Sequence, residues 1–154
     1  MTKVRIGLFV FCVAAAVTIA SAATMMKATV VPAGSVKWTP MTGMSGVSQA
    51  VLYGTPSKAG SGLFVERLMV SKDTTFPIHY HPTDELVTVL RGTLAFGTGD
   101  AVDWSKATTL STGGFVGVPA GLHHYGKLTA GSIIEISGTA PDTLIPVKPA
   151  KTSM

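Results

Sequence analysis

The chain has 154 residues, of which 46% are hydrophobic and only 13% charged, with a formal net charge of +4. That length supports one domain with its own core and is too short for two ordinary ones. Seventeen glycines and nine prolines, with many Val and Thr and no long helical pattern, point to an all-β domain with many turns.

The first 22 residues read as a signal peptide. MTKVR is a basic start, IGLFVFCVAAAVTIA is an apolar run of 15 residues, and Ala20-Ser21-Ala22 offers the small residues of a cleavage site. The run is short for a bilayer span, which needs roughly 20 apolar residues; a retained N-terminal anchor is the alternative. The expectation is a periplasmic or secreted protein, cleaved near Ala22, with no stable membrane association afterwards. Removing Lys3 and Arg5 reduces 12 basic residues to 10, against 8 acidic, a net charge of +2. With no basic stripe and no interleaved aromatics, nucleic-acid binding is discounted. The only cysteine, Cys12, falls in the signal, so the mature chain has neither a disulfide nor a thiolate ligand.

Residues 23–35 form a lead-in segment, residues 36–146 the β domain, and residues 147–154 a flexible tail. Within the domain, strand candidates run in chain order: Val36–Thr39, Val47–Tyr53, Gly62–Val70, Phe76–His81, Glu85–Leu90, Thr93–Phe96, Phe115–Val118, His123–Leu128 and Ser132–Ser137. Their spacing and the Gly, Pro and Asp punctuation between them suit a sandwich or small barrel. Only Asp100–Ala107 suggests a helical turn.

All four histidines fall in two short segments, HYHPTDE and PAGLHHYG. Residues i and i+2 of a strand share a face, so His79 and His81 project together, with Tyr80 opposite. Glu85 opens the next strand on the face of Val87 and Val89. A carboxylate at the end of a core-facing row, beside two imidazoles, needs a partner, because an unsatisfied buried polar group costs roughly 1–3 kcal/mol. A divalent cation would satisfy all three. Of His123 and His124, on opposite strand faces, one can turn inward as a fourth ligand. Three imidazoles and a carboxylate suit Mn, Fe, Co, Ni, Cu or Zn without choosing among them.

These segments resemble the two motifs of the cupin superfamily, in particular its small single-domain, type-2 members. The first motif, G-x5-H-x-H-x3,4-E-x6-G, is matched from Asp73 to Gly92, with Asp73 in place of the first glycine. The second, G-x5-P-x-G-x2-H-x3-N, is matched by Gly113, Pro119, Gly121 and His124, with Leu128 in place of the asparagine. The resemblance implies a single jelly-roll β-barrel (a double-stranded β-helix) in which His79, His81, Glu85 and His124 hold one divalent transition metal ion. His123 would then face away or sit at the rim. The function it implies is a metal-dependent protein acting on a small organic molecule, with dioxygenase-like oxidoreductases foremost and lyases, hydrolases and isomerases behind them. The alternative is a non-catalytic sensor or storage protein that binds metal or a small ligand. A homodimer paired through its sheets is a further implication of the resemblance.

Other candidates are fewer. Arg67 alternates with Val65 and Met69 and is a candidate anchor for an anionic substrate, the alternative being a surface position. Glu135, sharing a face with Ile133 and Ser137, is a candidate general base, as is Glu85 if it shuttles protons instead of ligating. Tyr80 and Tyr125 neighbour the ligands and are expected to point away from them. Phe76, Phe96 and Phe115 are expected in the core, and Trp38 and Trp104 pack or rim the cavity.

Overall fold

In the computed structural model, which describes residues 27–148, short strands rich in Val, Thr and Ile pair into two antiparallel sheets. A single 3-10 turn at Ala33–Ser35 precedes β1 (Thr39–Pro40), β2 (Val47–Tyr53), β3 (Leu63–Val70), β4 (Thr74–Tyr80), β5 (Glu85–Arg91) and β6 (Thr93–Thr98). Then come β7 (Thr108–Ser111), β8 (Phe115–Val118), β9 (His124–Leu128), β10 (Ile133–Thr139) and β11 (Ile145–Pro146). One sheet has the order β1-β2-β3-β10-β5-β8 and the other β11-β4-β9-β6-β7. This is the all-β jelly-roll that the sequence predicts. Among the described residues, no helix is long and apolar enough to cross a membrane. The expected signal peptide and Cys12 lie outside the described residues.

Alternation builds the core. On β3, Phe64, Glu66, Leu68 and Val70 are buried while the residues between them are partly exposed. On β5 the inward row is Glu85, Val87 and Val89, and on β10 it includes Ile134 and Ile136. Val70, Val89 and Leu128 are wholly buried, each stabilising by roughly 1.5–3 kcal/mol relative to exposure. Gly92 makes the tight turn from β5 to β6 at φ 81°. A Cβ there would lie 2.2 Å from Ser132 Oγ, so glycine is required both by conformation and by space.

Several expected elements differ. Of the first stretch, Val36–Thr39, only Thr39 pairs, with Gln49, and the strand continues to Pro40 opposite Ser48. Asp100–Ala107 contains turns and no helix; it lies over the outer side of β9, where the Tyr125 hydroxyl bonds to the backbone of Asp103 and Trp104 meets the Tyr125 ring edge-on at 5.1 Å. Two strands were not expected, β7 and β11. The flexible tail expected from residue 147 is held at its first residue, because Val147 N–H donates to Ile78 O at 3.0 Å. Phe115, expected in the core, is 57% exposed: on β8 it shares parity with Gly117, while Val116 and Val118 turn inward.

Candidate metal centre and cavity

Strand parity alone does not place the histidines. On β4, Thr74 and Phe76 face inward, so simple alternation would bury residue 78 and turn His79 out. The pairing with β9 shows how this is avoided: Phe76 lies opposite Gly126 and His79 opposite His124, three residues on β4 spanning two on β9. This β-bulge contains Pro77, whose missing N–H is tolerated where the ladder is already interrupted. Beyond it, His79 and His81 are both buried, 5% and 6% exposed.

Two main-chain links then join the ligand-bearing segments. Gly121 N–H donates to His81 O at 2.9 Å, and Ala120 N–H donates to Asp84 Oδ1 at 2.8 Å. The turn before His124 is thereby fastened to the turn between His81 and Glu85. The ring centroids of His79 and His124 are 4.2 Å apart, and those of His81 lie 5.1 Å and 5.5 Å from them. Glu85, also buried, places Oε2 3.5 Å from His124 Nε2 and Oε1 3.8 Å from His81 Nε2.

Hydrogen bonds fix the rings. His79 Nδ1–H donates to Pro77 O at 2.6 Å and His124 Nδ1–H to Leu122 O at 2.9 Å. A carbonyl oxygen only accepts, so both Nδ1 atoms carry a proton, and in the neutral form of each ring the Nε2 lone pair is left free. Burial pushes the His79 pKa down to about 4, assisted by the neighbouring His124 and His81 rings, so this ring is neutral at pH 7. Burial alone would also depress His81, but contact with Asp142 and the charge of Glu85 outweigh it and raise that pKa. His81 Nδ1 lies 2.8 Å from Asp142 Oδ1, yet neither ring nitrogen of His81 has an aligned hydrogen-bond partner among the described residues.

The buried His79, His81 and His124 group can hold a metal ion, and His81, Glu85 and Asp142 form an overlapping group with the same capacity. The fit rests on the donor chemistry: free Nε2 atoms on two rings, an adjacent carboxylate, and a third buried ring whose nitrogens lack aligned partners.

The histidines open onto a cavity of about 200 Å³. Its other walls are largely apolar, with Leu68, Phe76, Phe96, Leu128, Ile134 and Ile136 among them. Phe96 stacks on His124 at 5.6 Å. Exposed Ser57 and half-buried Met41 and Gln49 also line it and mark where it reaches the surface.

Two proposed roles do not survive the geometry. Arg67 and Glu135 are register partners on the outer faces of β3 and β10, joined by Arg67 Nη2 to Glu135 Oε2 at 2.8 Å. Neither lines the cavity, so Arg67 is no substrate anchor and Glu135 no general base there. Their parity follows from Glu66 and Ile136 being the inward residues. His123 turns outward, hydrogen-bonded to Asp100 and with its ring tilted against Tyr80, centroids 5.4 Å apart. Neither Trp38 nor Trp104 lines the cavity.

Two carboxylates missing from the sequence argument do line it, Glu66 and Asp142. Burial, followed by the charge and hydrogen bonding of Asp142, raises the Glu66 pKa to about 7. Glu66 was within reach of the sequence through its parity with Leu68; Asp142, in the connection between β10 and β11, carries no spacing signal.

Residues 67–135 match the family model described as a cupin domain. The polyketide cyclase RemF of Streptomyces resistomycificus has a similar structure, with 20% identity, a TM-score of 0.62 and coverage of 82% of this chain and 89% of that one. A candidate acetylacetone dioxygenase from Methylibium petroleiphilum gives 17% identity, a TM-score of 0.64 and coverage of 83% and 88%. An RmlC-like cupin from Shewanella frigidimarina gives 17%, 0.55, and coverage of 78% and 89%. No curated protein matches the chain. The domain match covers the central part of the chain, and the solved structures share its fold.

Proposed function

We propose that this cupin-fold protein works after export, holds one divalent transition metal ion with His79, His81, Glu85 and His124, and oxidises a small organic molecule taken into the adjoining cavity. The observation that carries the proposal is the convergence of three buried imidazoles, two with their Nδ1 protons committed to backbone carbonyls, at the wall of an otherwise apolar cavity. Bound Mn, Fe, Ni or Cu would supply a Lewis-acidic, redox-active centre, and Zn or Co the Lewis acidity alone.

The chain's own residues do the rest. Pro77 and Leu122 carbonyls hold two rings in one tautomer and one orientation, which keeps their Nε2 atoms available. Asp142 restrains His81 from the opposite side of its ring. The apolar wall excludes water and leaves the ligand few polar alternatives to the histidine face. Glu66, with a pKa near 7, is placed to take up and return a proton at its carboxyl oxygen.

Elemental analysis of protein recovered from its native compartment tests the metal, and an O2-uptake screen on the loaded form tests the oxidation. About one equivalent of a redox-active ion is expected, with chelation lowering the Tm: free metal at 1,000 times Kd stabilises a folded site by about 4 kcal/mol. An unchanged melting curve after verified metal removal overturns the metal centre. A loaded protein that binds small organics without consuming O2 overturns the oxidation and leaves a binding protein.

A further inference from the structure

The wall facing the apolar surfaces raises a separate question of charge. Glu66, Glu85 and Asp142 all line the cavity, and no lysine or arginine does so among the described residues. Glu66 is 7% exposed and enters no ion pair among the described residues. It shares the cavity wall with Asp142, which is itself anchored by Asp142 N–H donating to Pro56 O at 2.7 Å. A buried carboxyl without a charged partner is costly, and its acceptor oxygens are left to water or to a ligand in the cavity.

An anionic ligand entering this cavity would meet Glu66 and Asp142 with no lysine or arginine among the described residues of the lining to pair with. Volume limits the ligand further. A cavity of about 150 Å³ accepts a benzene molecule, so about 200 Å³ takes one six-membered ring with a short substituent.

We propose that Glu66 and Asp142 set the specificity of this cavity: they receive a hydroxyl or amine donor on a small, mainly apolar ligand, and they exclude carboxylates and phosphates of the same size. This names the substrate class for the site proposed above and rests on that reading only for the cavity's being the ligand's place.

The test uses four ring compounds of one size, toluene, benzyl alcohol, benzylamine and benzoate, titrated calorimetrically into the full protein with its metal content measured. Benzyl alcohol and benzylamine should each bind at least about 10-fold more tightly than benzoate, the scale of a hydrogen bond to a charged group. Glu66→Gln should weaken benzylamine by about 10-fold while leaving toluene unchanged. Benzoate binding as well as either donor, no binding of either donor at millimolar concentration, or an undiminished benzylamine preference in a folded Glu66→Gln variant overturns the assignment. The wild-type comparison stands even where the variant does not fold. Metal-free protein that still prefers the donors upholds the carboxyl pair and counts only against the metal centre; metal-loaded protein that prefers benzoate counts only against the carboxyl pair.

Discussion

The inner and outer faces of this barrel divide adjacent polar residues between them. His124 is buried, with its Nδ1 bonded to a backbone carbonyl, while His123, one residue earlier, sits half-exposed against Asp100. Glu66 is buried in the cavity wall, while Arg67, one residue later, forms an ion pair with Glu135 on the outside. What separates a candidate metal ligand from a surface imidazole is strand parity and nothing in the side chain itself. Inward residues are desolvated and must find partners; outward residues are screened by water and need none.

That contrast can be broken by substitution, most severely on the inner face. His124→Ala should weaken metal binding by more than about 100-fold, beyond the 10–100-fold expected for loss of a group that merely supports a ligand. His123→Ala should leave metal stoichiometry unchanged, and equal losses by elemental analysis would show the wrong histidine to be the ligand. Leu128 is wholly buried between Leu94 and Thr74; Leu128→Ala should cost about 2–5 kcal/mol in denaturant unfolding, and a loss below about 1 kcal/mol would mean the cavity collapses to fill the space.

Glu66 gives a pH signature. Its folded pKa, about 7 against an ordinary 4.5, means that the folded state keeps a proton which the unfolded chain releases. Its contribution to stability therefore falls as pH rises between those values, by at most about 1.4 kcal/mol per pH unit. In metal-stripped protein, Glu66→Gln should gain on the wild type across that window; a pH-independent difference would place the carboxyl in contact with solvent. His79, depressed to about 4, contributes with the opposite sign, but equally in both proteins.

The smallest effect belongs outside. Arg67 and Glu135 are 27% and 31% exposed, and a double-mutant cycle to alanine should give a coupling of only about 0.2–1 kcal/mol. A larger value would mean the face is covered in solution.

The sequence conveyed the architecture well because its punctuation is strong. Val47–Tyr53 and Phe115–Val118 are strands with the expected bounds. What escaped it lacked the signals on which such inference depends. TTLS has one apolar residue and therefore no alternation, yet Leu94 and Leu110 pair across β6 and β7. Ile145-Pro146 contains a residue read as a strand breaker, but it lies at a sheet edge, where a missing N–H costs nothing. LFVERLMV is apolar on both faces, so its inward row was ambiguous until Phe64 and Leu68 were seen in the core. Strand spacing grouped His79, His81 and Glu85, and the resemblance to the cupin motifs added His124 in place of His123; the position of Asp142 depends on how a loop returns to the sheet, which no local pattern encodes.

The bulge at Pro77 makes local strand pairing itself a determinant of the site. Phe76 and His79 are three residues apart, and regular pairing with β9 at this length would keep Phe76 in the core and rotate both imidazoles to the outside. Every ligand would still be present in the sequence at unchanged spacing, and a motif search would still find it. Deleting one residue between Phe76 and His79 would instead set two residues against two and keep all three side chains inward with no bulge. Among proteins of this shape, a three-residue step from the core aromatic to the first histidine would then be diagnostic of a centre only together with the bulge that absorbs it.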